Sequence, residues 1–420
     1  MGSGQRGPSD RPALARLLPV PPESFAAEYW DRAALFTRAA GLGDGLDDLF
    51  SADAVDELVT RRGLRTPFAR MAKAGVLLDP ARYTAPGGLG AEIADQVSAD
   101  KVLDELSAGA TLVLQGLHRT WPPLAEFARA LAADLGHPVQ VNAYITPAAE
   151  RGFDPHYDVH DVFVIQVQGE KRWRIHPPVH SRPLRDQPWS GHRGEVETQA
   201  RNLPAIDEVF RPGDVLYLPR GWIHSATALG GTSIHLTIGV AALTRHDVLR
   251  EVLAAATADE SLRAALPLGV DLTDAATVAA LVGAAVDDLA RFARAEPGPD
   301  ATVGRRLHAR VRDSARPEPV APLATSAAAA ALHEATTVSL RRGLDARLET
   351  DSGPGRSSGP TTVSLVLSGK RVTLPAEAAD ALAQVLTGQT TQAGGLTGLD
   401  SASSLVVARR LVREGVLVVR

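Results

Sequence analysis

The sequence contains no cysteine. Disulfides, iron–sulfur clusters, Cys-type zinc sites and a thiol nucleophile are therefore excluded. Any metal must be held by His, Asp or Glu, which restricts it to ions that accept nitrogen and oxygen donors. No apolar run approaches the roughly 20 residues that span a bilayer. No apolar h-region follows the polar, Pro/Gly-rich start MGSGQRGPSDRP. A large charge excess is also lacking. The net charge of −5 gives no overall pull toward nucleic acid or an anionic membrane, though a local basic face remains open. The expectation is a soluble cytoplasmic protein with no membrane partner.

What is present is enough chain, 420 residues, for two or three domains. Residues 1–20 read as a flexible lead-in. The pattern from Pro22 to about Ala40 predicts a helix with Ser24 as N-cap. Two segments opened by Ser-Ala-Asp, at Ser51 and Ser98, predict further helices through shared capping chemistry. TLVLQGL (111–117) is a short β-type run, and Pro122–Leu135 an amphipathic helix. From Gln140 to Val240 short runs rich in Val, Ile and aromatics alternate with the turn signals QGEK, RPGD, PRGW and LGGT. Strands at this spacing predict a β-barrel or double-sheet jelly roll. After about Thr244 three helical segments follow, the first over 245–266, then a Pro-rich linker at 315–322. The last stretch mixes strands with two helices, and DSGPGRSSGP (351–360) reads as a mobile loop.

The informative stretch is DPHYDVHDVFVIQVQGEKRWRI. His156 and Asp158 stand two apart at the mouth of a predicted strand, where a period of 2 points both to one face. His224 follows in LPRGWIHSA. Two imidazoles and one carboxylate on one face leave half an octahedron open, the ligand set of non-haem Fe(II) oxygenases. An H-x-D pair alone recurs by chance. Its context, a β-rich block with a second His at a strand end, gives it weight. Lys171, Trp173 and Ile175 share one strand face. If that face is interior, the Lys171 ammonium needs an anion such as the distal carboxylate of 2-oxoglutarate; the alternative is an exposed turn lysine. Asn142 and Tyr144, on the preceding strand, are candidates for neutral hydrogen bonds to the same co-substrate, or ordinary strand residues. By the same period His160 could also face the metal, and it reads as a supporting or substrate-side residue; His235, on the last strand, reads as a supporting or simply structural one. His176, His180 and His192 fall in a loop region without metal-like spacing.

The motifs N-A-Y-I-T-P, H-Y-D, F-V-I-Q-V-Q-G-E-K-R-W, G-D-V-L-Y-L-P-R-G-W-I-H-S-A and H-L-T together resemble the ribosomal-oxygenase branch of the JmjC (cupin-like) hydroxylases. The match is most specific from about Asn142 to Thr237. The resemblance implies an α+β protein with a double-stranded β-helix core over 21–243. It also implies a helical dimerisation segment at 244–316 and a winged-helix-like domain at 323–420. His156, Asp158 and His224 match the iron ligands, Lys171 the residue that binds the 2-oxoglutarate carboxylate, and Asn142 and Tyr144 active-site polar residues. Members acting on arginine often carry Arg at the Lys171 position, whereas lysine is similar to members acting on histidine. A family serine is replaced by Gly239.

The resemblance thus implies an Fe(II)- and 2-oxoglutarate-dependent oxygenase that uses O2 to hydroxylate a protein side chain, with a ribosomal protein as one substrate class. A natural-product precursor peptide and a modified tRNA base are the others. Rival readings are a non-catalytic cupin-like binding protein and a cupin isomerase or dioxygenase without 2-oxoglutarate. Arg341, Arg342, Arg347, Arg409, Arg410 and Arg413 in the last segment offer either a solvated face, a dimer contact or a nucleic-acid contact.

Overall fold

Proline and serine set the first helices. Pro12–Ala15 (α1) and Pro22–Glu28 (α2) each carry Pro at the first position, where no backbone N–H is needed. Ala52–Arg61 (α3) is capped by the Ser51 side chain, which accepts from the Ala54 N–H. Ala99–Ser107 (α4) follows Ser98, but there the serine makes no capping bond. Leu117–Thr120 (α5) leads into Pro122–Leu135 (α6), which ends on Gly136 in the left-handed region. Leu124, Phe127, Ala128 and Leu131 form its buried stripe. The computed structural model describes residues 11–43, 45–148, 154–296, 298–314, 316–350 and 362–420. The expected loop at 351–360 lies outside the described residues. By its internal contacts the chain divides into two units, residues 1–311 and 312–420.

The first unit is built on one antiparallel sheet. Its strands are Leu35–Thr37 (β1), Ala69–Lys73 (β2), Val76–Leu77 (β3), Thr111–Leu114 (β4), Val139–Thr146 (β5), Asp161–His176 (β6), Ile206–Phe210 (β7), Val215–Leu218 (β8) and Ile223–Val240 (β9). They lie in the order β1-β8-β6-β9-β5-β4-β2-β3, with β7 also on β6. Val162, Val164, Trp173, Ile175, Phe210, Leu216 and Leu218 form a buried cluster in it. Each such side chain contributes about 1.5–3 kcal/mol on leaving water.

Two expected hairpin turns are bends inside continuous strands. QGEK lies within β6 and LGGT within β9. The register slips there: Leu229 faces Glu170, Ile234 faces Gln168, and His235 faces Gln166. Gly169 takes φ +67°, and a Cβ on it would strike the Thr232 carbonyl. The slip changes which alternate positions face inward. On β6 these are Val162 and Val164 before it and Lys171 and Trp173 after it; on β9 they are His224 and Ala226, then His235 and Thr237. One strand pair thereby lines two walls of the same cavity.

The helix expected over 22–40 stops at Glu28. Asp31 takes φ 61°, and Leu35–Thr37 leaves the helical path to pair with β8. Phe36 stacks on Phe210 with centroids 4.5 Å apart, so tertiary pairing outweighs local helix propensity. Asp31 is tied to Arg220 (2.8 Å), and Arg220 to the fully buried Asp161 (3.3 Å). Of the expected lead-in, residues 1–10 lie outside the described residues. Ala13, Leu14, Leu17 and Leu18 are buried, and the Ala13 and Leu14 N–H groups donate to the Asp134 carboxylate.

Arg193–Gln199 (α7) lies between β6 and β7, and past residue 244 come Arg245–Ala256 (α8), Ala275–Arg294 (α9) and Asp300–Ser314 (α10). The first was expected to reach residue 266. It closes at Ala256, and Asp259 then accepts from the Ser261 N–H to start a single 3-10 turn. A reciprocal Thr244–Asp247 capping box opens α8. Among the described residues no helix is long and apolar enough to cross a membrane.

The second unit has its own core, including Val338, Leu365, Leu382, Leu411 and Leu417. It contains Pro322–Ala331 (α11), Thr337–Leu340 (β10), Ala346–Thr350 (β11), Thr362–Leu367 (β12), Lys370–Pro375 (β13), Ala379–Leu386 (α12), Thr391–Gln392 (β14), Ser401–Arg413 (α13) and Leu417–Val419 (β15). The strands form two three-stranded sheets, β14-β10-β15 and β11-β12-β13.

Candidate metal centre and adjoining cavity

His156 lies outside the long strands, yet it exchanges both backbone hydrogen bonds with His224 at the start of β9, His156 N to His224 O at 3.2 Å and the return bond at 2.9 Å. The two rings lie side by side, with centroids 4.4 Å apart. Asp158 accepts the Gly221 N–H on its backbone carbonyl, which fixes its loop to the turn before β9. Among the described residues His156, Asp158 and His224 form the one group of ligand-bearing side chains that can hold a metal, with ligand atoms all within 4.8 Å of one another.

The protonation pattern suits a cation. His156 Nδ1 donates to the Asp154 carbonyl (2.7 Å) and His224 Nδ1 to the Trp222 carbonyl (3.1 Å). Each bond places the lone pair on Nε2, the arrangement that second-shell contacts impose on metal-binding imidazoles. Burial, reinforced by His156, pushes the His224 imidazole down to about 4. Burial would raise the Asp158 carboxyl, but His160, His224 and His156 hold it below its ordinary value. A neutral His224 imidazole and an ionised Asp158 carboxylate are ligand states a divalent ion requires.

The triad opens on a cavity of about 340 Å³ between the bent walls. Lys171 lines it and is 2% exposed. Its Nζ donates to Thr146 Oγ1 (3.1 Å) and lies 3.5 Å from His235 Nδ1. Among the described residues no carboxylate lies within ion-pair distance, and burial pushes the ammonium down to about 7. The same burial, with Lys171 nearby, keeps His235 well below the usual imidazole range. A buried ammonium facing a cavity with one hydroxyl partner is a seat for a small anion.

The cavity belongs to a recognisable domain: residues 120–248 match the family model described as the JmjC domain. This segment of the chain is a JmjC domain. The chain is 40% identical over 139 residues to the Drosophila persimilis protein named bifunctional lysine-specific demethylase and histidyl-hydroxylase NO66, a match covering 31% of this chain and 19% of that protein. It is 30% identical over 238 residues to ribosomal oxygenase 1 of Rattus norvegicus, covering 55% of this chain and 38% of that one. The chain thus spans well under half the length of these curated relatives. YcfD, a ribosomal oxygenase from Escherichia coli whose structure was solved with cobalt and 2-oxoglutarate, shares the fold over 95% of this chain and 98% of its own, at 15% identity and a TM-score of 0.51.

Within the JmjC cavity the other expected residues divide. Tyr144 lines it, hydrogen-bonds Thr237, and stacks on His235 at 5.0 Å; burial pushes its phenol up to about 12. Asn142 shares the strand face of Tyr144 but is not part of the cavity lining. Its Oδ1 accepts from the Gly116 N–H (3.1 Å) at the start of α5, a structural use. His176 ends β6 and is buried, not in a loop. His180 and His192 stack on each other away from the cavity lining.

Thr146, Thr111 and Trp189 line the cavity and were not singled out from the sequence. The alternation Asn142-Tyr144-Thr146 contained the signal for the first. Trp189 comes from the segment after β6 and carries the Arg193 guanidinium over its ring at 4.5 Å. In the second unit several expected basic residues are already paired. Arg342 faces Glu318, Arg347 faces Glu349, Arg410 faces Glu414, and Arg409 donates to the Ala329 and Leu332 carbonyls.

Proposed function

We propose that this chain is an Fe(II)- and 2-oxoglutarate-dependent oxygenase that hydroxylates a side chain of a ribosomal protein. The observation that carries the reading is one cavity holding both the His156–Asp158–His224 cluster and the Lys171 ammonium, which has no anionic partner among the described residues. His156, Asp158 and His224 would hold the iron, and Lys171 with Thr146 the far carboxylate of 2-oxoglutarate. With both bound, the site would split O2, placing one oxygen atom in the substrate C–H bond and the other in succinate as CO2 leaves.

The remaining work falls to the protein's side chains. The backbone pair between His156 and His224 fixes ring spacing. Trp173 and Val164 keep the walls dry. The Tyr144 phenol, held protonated, is a neutral hydrogen-bond donor. Asn142 supports the wall through its Oδ1, which accepts from Gly116, and with Tyr144 it is kept as a polar residue of the co-substrate site. The ribosomal substrate class rests on what the relatives are named for. The test is mass spectrometry of ribosomal proteins from cells with and without this chain. A +16 Da difference is expected, and identical spectra would refute the substrate class.

We further read residues 244–316 as a dimerisation segment. Leu249 and Leu253 of α8 are 56% and 55% exposed, and Val282 and Val286 of α9 are 57% and 58% exposed, each pair at helical i,i+4 spacing. Residues 323–420 we read as a winged-helix-like domain. The internal pairing of its arginines favours a structural role over a nucleic-acid face.

A further inference from the structure

Facing residues on the inner sides of β5 and β9 form four rungs: Thr146 with Ser233, Tyr144 with His235, Asn142 with Thr237, and Gln140 with Gly239. Burial falls along the ladder. Thr146 and Ser233 are fully buried, Asn142 is half-buried, and Gln140 is exposed. On the β5 side the last rung thus reaches the surface, while its β9 partner Gly239 is buried. On its β9 side there is no side chain, yet the place is filled. An atom at the Cβ position of Gly239 would lie 2.7 Å from His160 Cδ2 and 2.8 Å from His160 Nε2. It would also lie 3.2 Å from Gln140 Cγ. The His160 ring therefore rests on the bare backbone of Gly239, a close approach that only glycine permits.

His160 is half-buried, two positions past Asp158, and its ring has no hydrogen-bond partner among the described residues. The ring sits close enough to Asp158 to act on its charge, and among the described residues no hydrogen bond uses its two ring nitrogens. His160 is not among the cavity-lining residues, but it lies beside Asp158, which is, and polar groups next to a cavity orient the ligands that enter it.

We propose that His160, seated on Gly239, is a substrate-recognition residue: a ring nitrogen hydrogen-bonds the polar protein side chain that enters the cavity. This rests on the oxygenase reading above. The ring positions the side chain and takes no part in the bond changes. Gly239 acts through it, by leaving it room.

The test uses the full chain with Fe(II), 2-oxoglutarate and O2, and as probe ribosomes from cells lacking this chain. Formation of +16 Da product is followed for wild type, His160→Ala, His160→Gln and Gly239→Ala. Mn(II) and 2-oxoglutarate affinities are measured in parallel by calorimetry. His160→Ala is expected to raise the apparent KM for ribosomes at least tenfold, with both affinities within twofold of wild type. His160→Gln, which keeps a donor and an acceptor, recovers part of the loss. Gly239→Ala matches His160→Ala, and the double variant is no worse than either alone. A second readout is thermal: Gly239→Ala lowers the Tm, and removing the ring with His160→Ala relieves it. An unchanged KM in His160→Ala overturns the proposal. So does an equal loss of metal or 2-oxoglutarate affinity, since the ring would then act through Asp158. Absence of 2-oxoglutarate-dependent succinate in wild type sinks the oxygenase reading itself, an outcome separate from either.

Discussion

Lys171 and His235 face each other inside the barrel, the lysine Nζ 3.5 Å from His235 Nδ1, and among the described residues no carboxylate pairs with the lysine. Both groups are buried, so the pair is held near neutrality until an anion arrives. An anion entering the cavity would meet no competing carboxylate at Lys171 among the described residues.

That arrangement has a pH signature. The folded Lys171 titrates near 7, below its ordinary 10.5, and a bound carboxylate would restore the charged form. Binding of 2-oxoglutarate then takes up a proton. Its affinity should fall as pH rises above about 7, by about tenfold per unit. Lys171→Ala should raise the KM for 2-oxoglutarate at least ~10-fold and flatten this dependence. Calorimetry across pH 6.5–8.5 tests both. A flat profile in wild type would remove Lys171 from the role.

The metal cluster is tested by truncation. His156→Ala, Asp158→Ala and His224→Ala should each abolish succinate formation and weaken Mn(II) binding by more than ~100-fold. Full turnover in any one of them would remove that residue from the ligand set.

Asp161 is fully buried and accepts from the Arg220 N–H (2.9 Å), the Arg220 side chain and the Tyr217 hydroxyl. Asp161→Ala leaves a buried guanidinium with Asp31 as its remaining carboxylate. The expected cost is about 3 kcal/mol in a denaturant titration, because breaking a buried pair strands its partner. A cost below about 0.5 kcal/mol, within the range of ordinary surface substitutions, would show that Asp31 alone holds Arg220.

Glu318 joins Arg420 at 2.8 Å in the second unit, and the Arg420 hydrogen bond holds its carboxyl down at about 2. A depressed carboxyl stabilises the fold above its unfolded value near 4.5, and the contribution is lost as pH falls toward 2. Glu318→Gln should cost about 1–2 kcal/mol at pH 7, after allowance for solvent screening, and close to nothing at pH 2. Calorimetric scans of the full chain read the second unit's transition. A pH-independent difference would mean that packing, not charge, is lost.

The exposed faces of α8 and α9 give an assembly prediction. Val282→Glu with Val286→Glu should convert the chain from dimer to monomer in sedimentation velocity, without lowering the Tm of the monomer. A wild-type chain that sediments as a monomer at all concentrations rejects the dimerisation segment.

Local chemistry carries much of this protein. The absence of cysteine left only His, Asp and Glu to hold a metal, and period-2 alternation put Lys171 on one face with Trp173 and Ile175. Pro122 and Gly136 bounded α6, and Ser51 capped α3, because capping and backbone freedom are properties of neighbouring residues. Four things were decided by the tertiary structure. The helix after Pro22 ended early because β8 offered a partner to Leu35–Thr37. QGEK and LGGT became bends, not hairpins, because β6 and β9 pair on both sides of the slip. Asn142 turned to Gly116, and the His160 ring came to rest on Gly239. Each depends on a group distant in sequence, and a pattern read along the chain has no term for which distant backbone arrives first or how closely it packs.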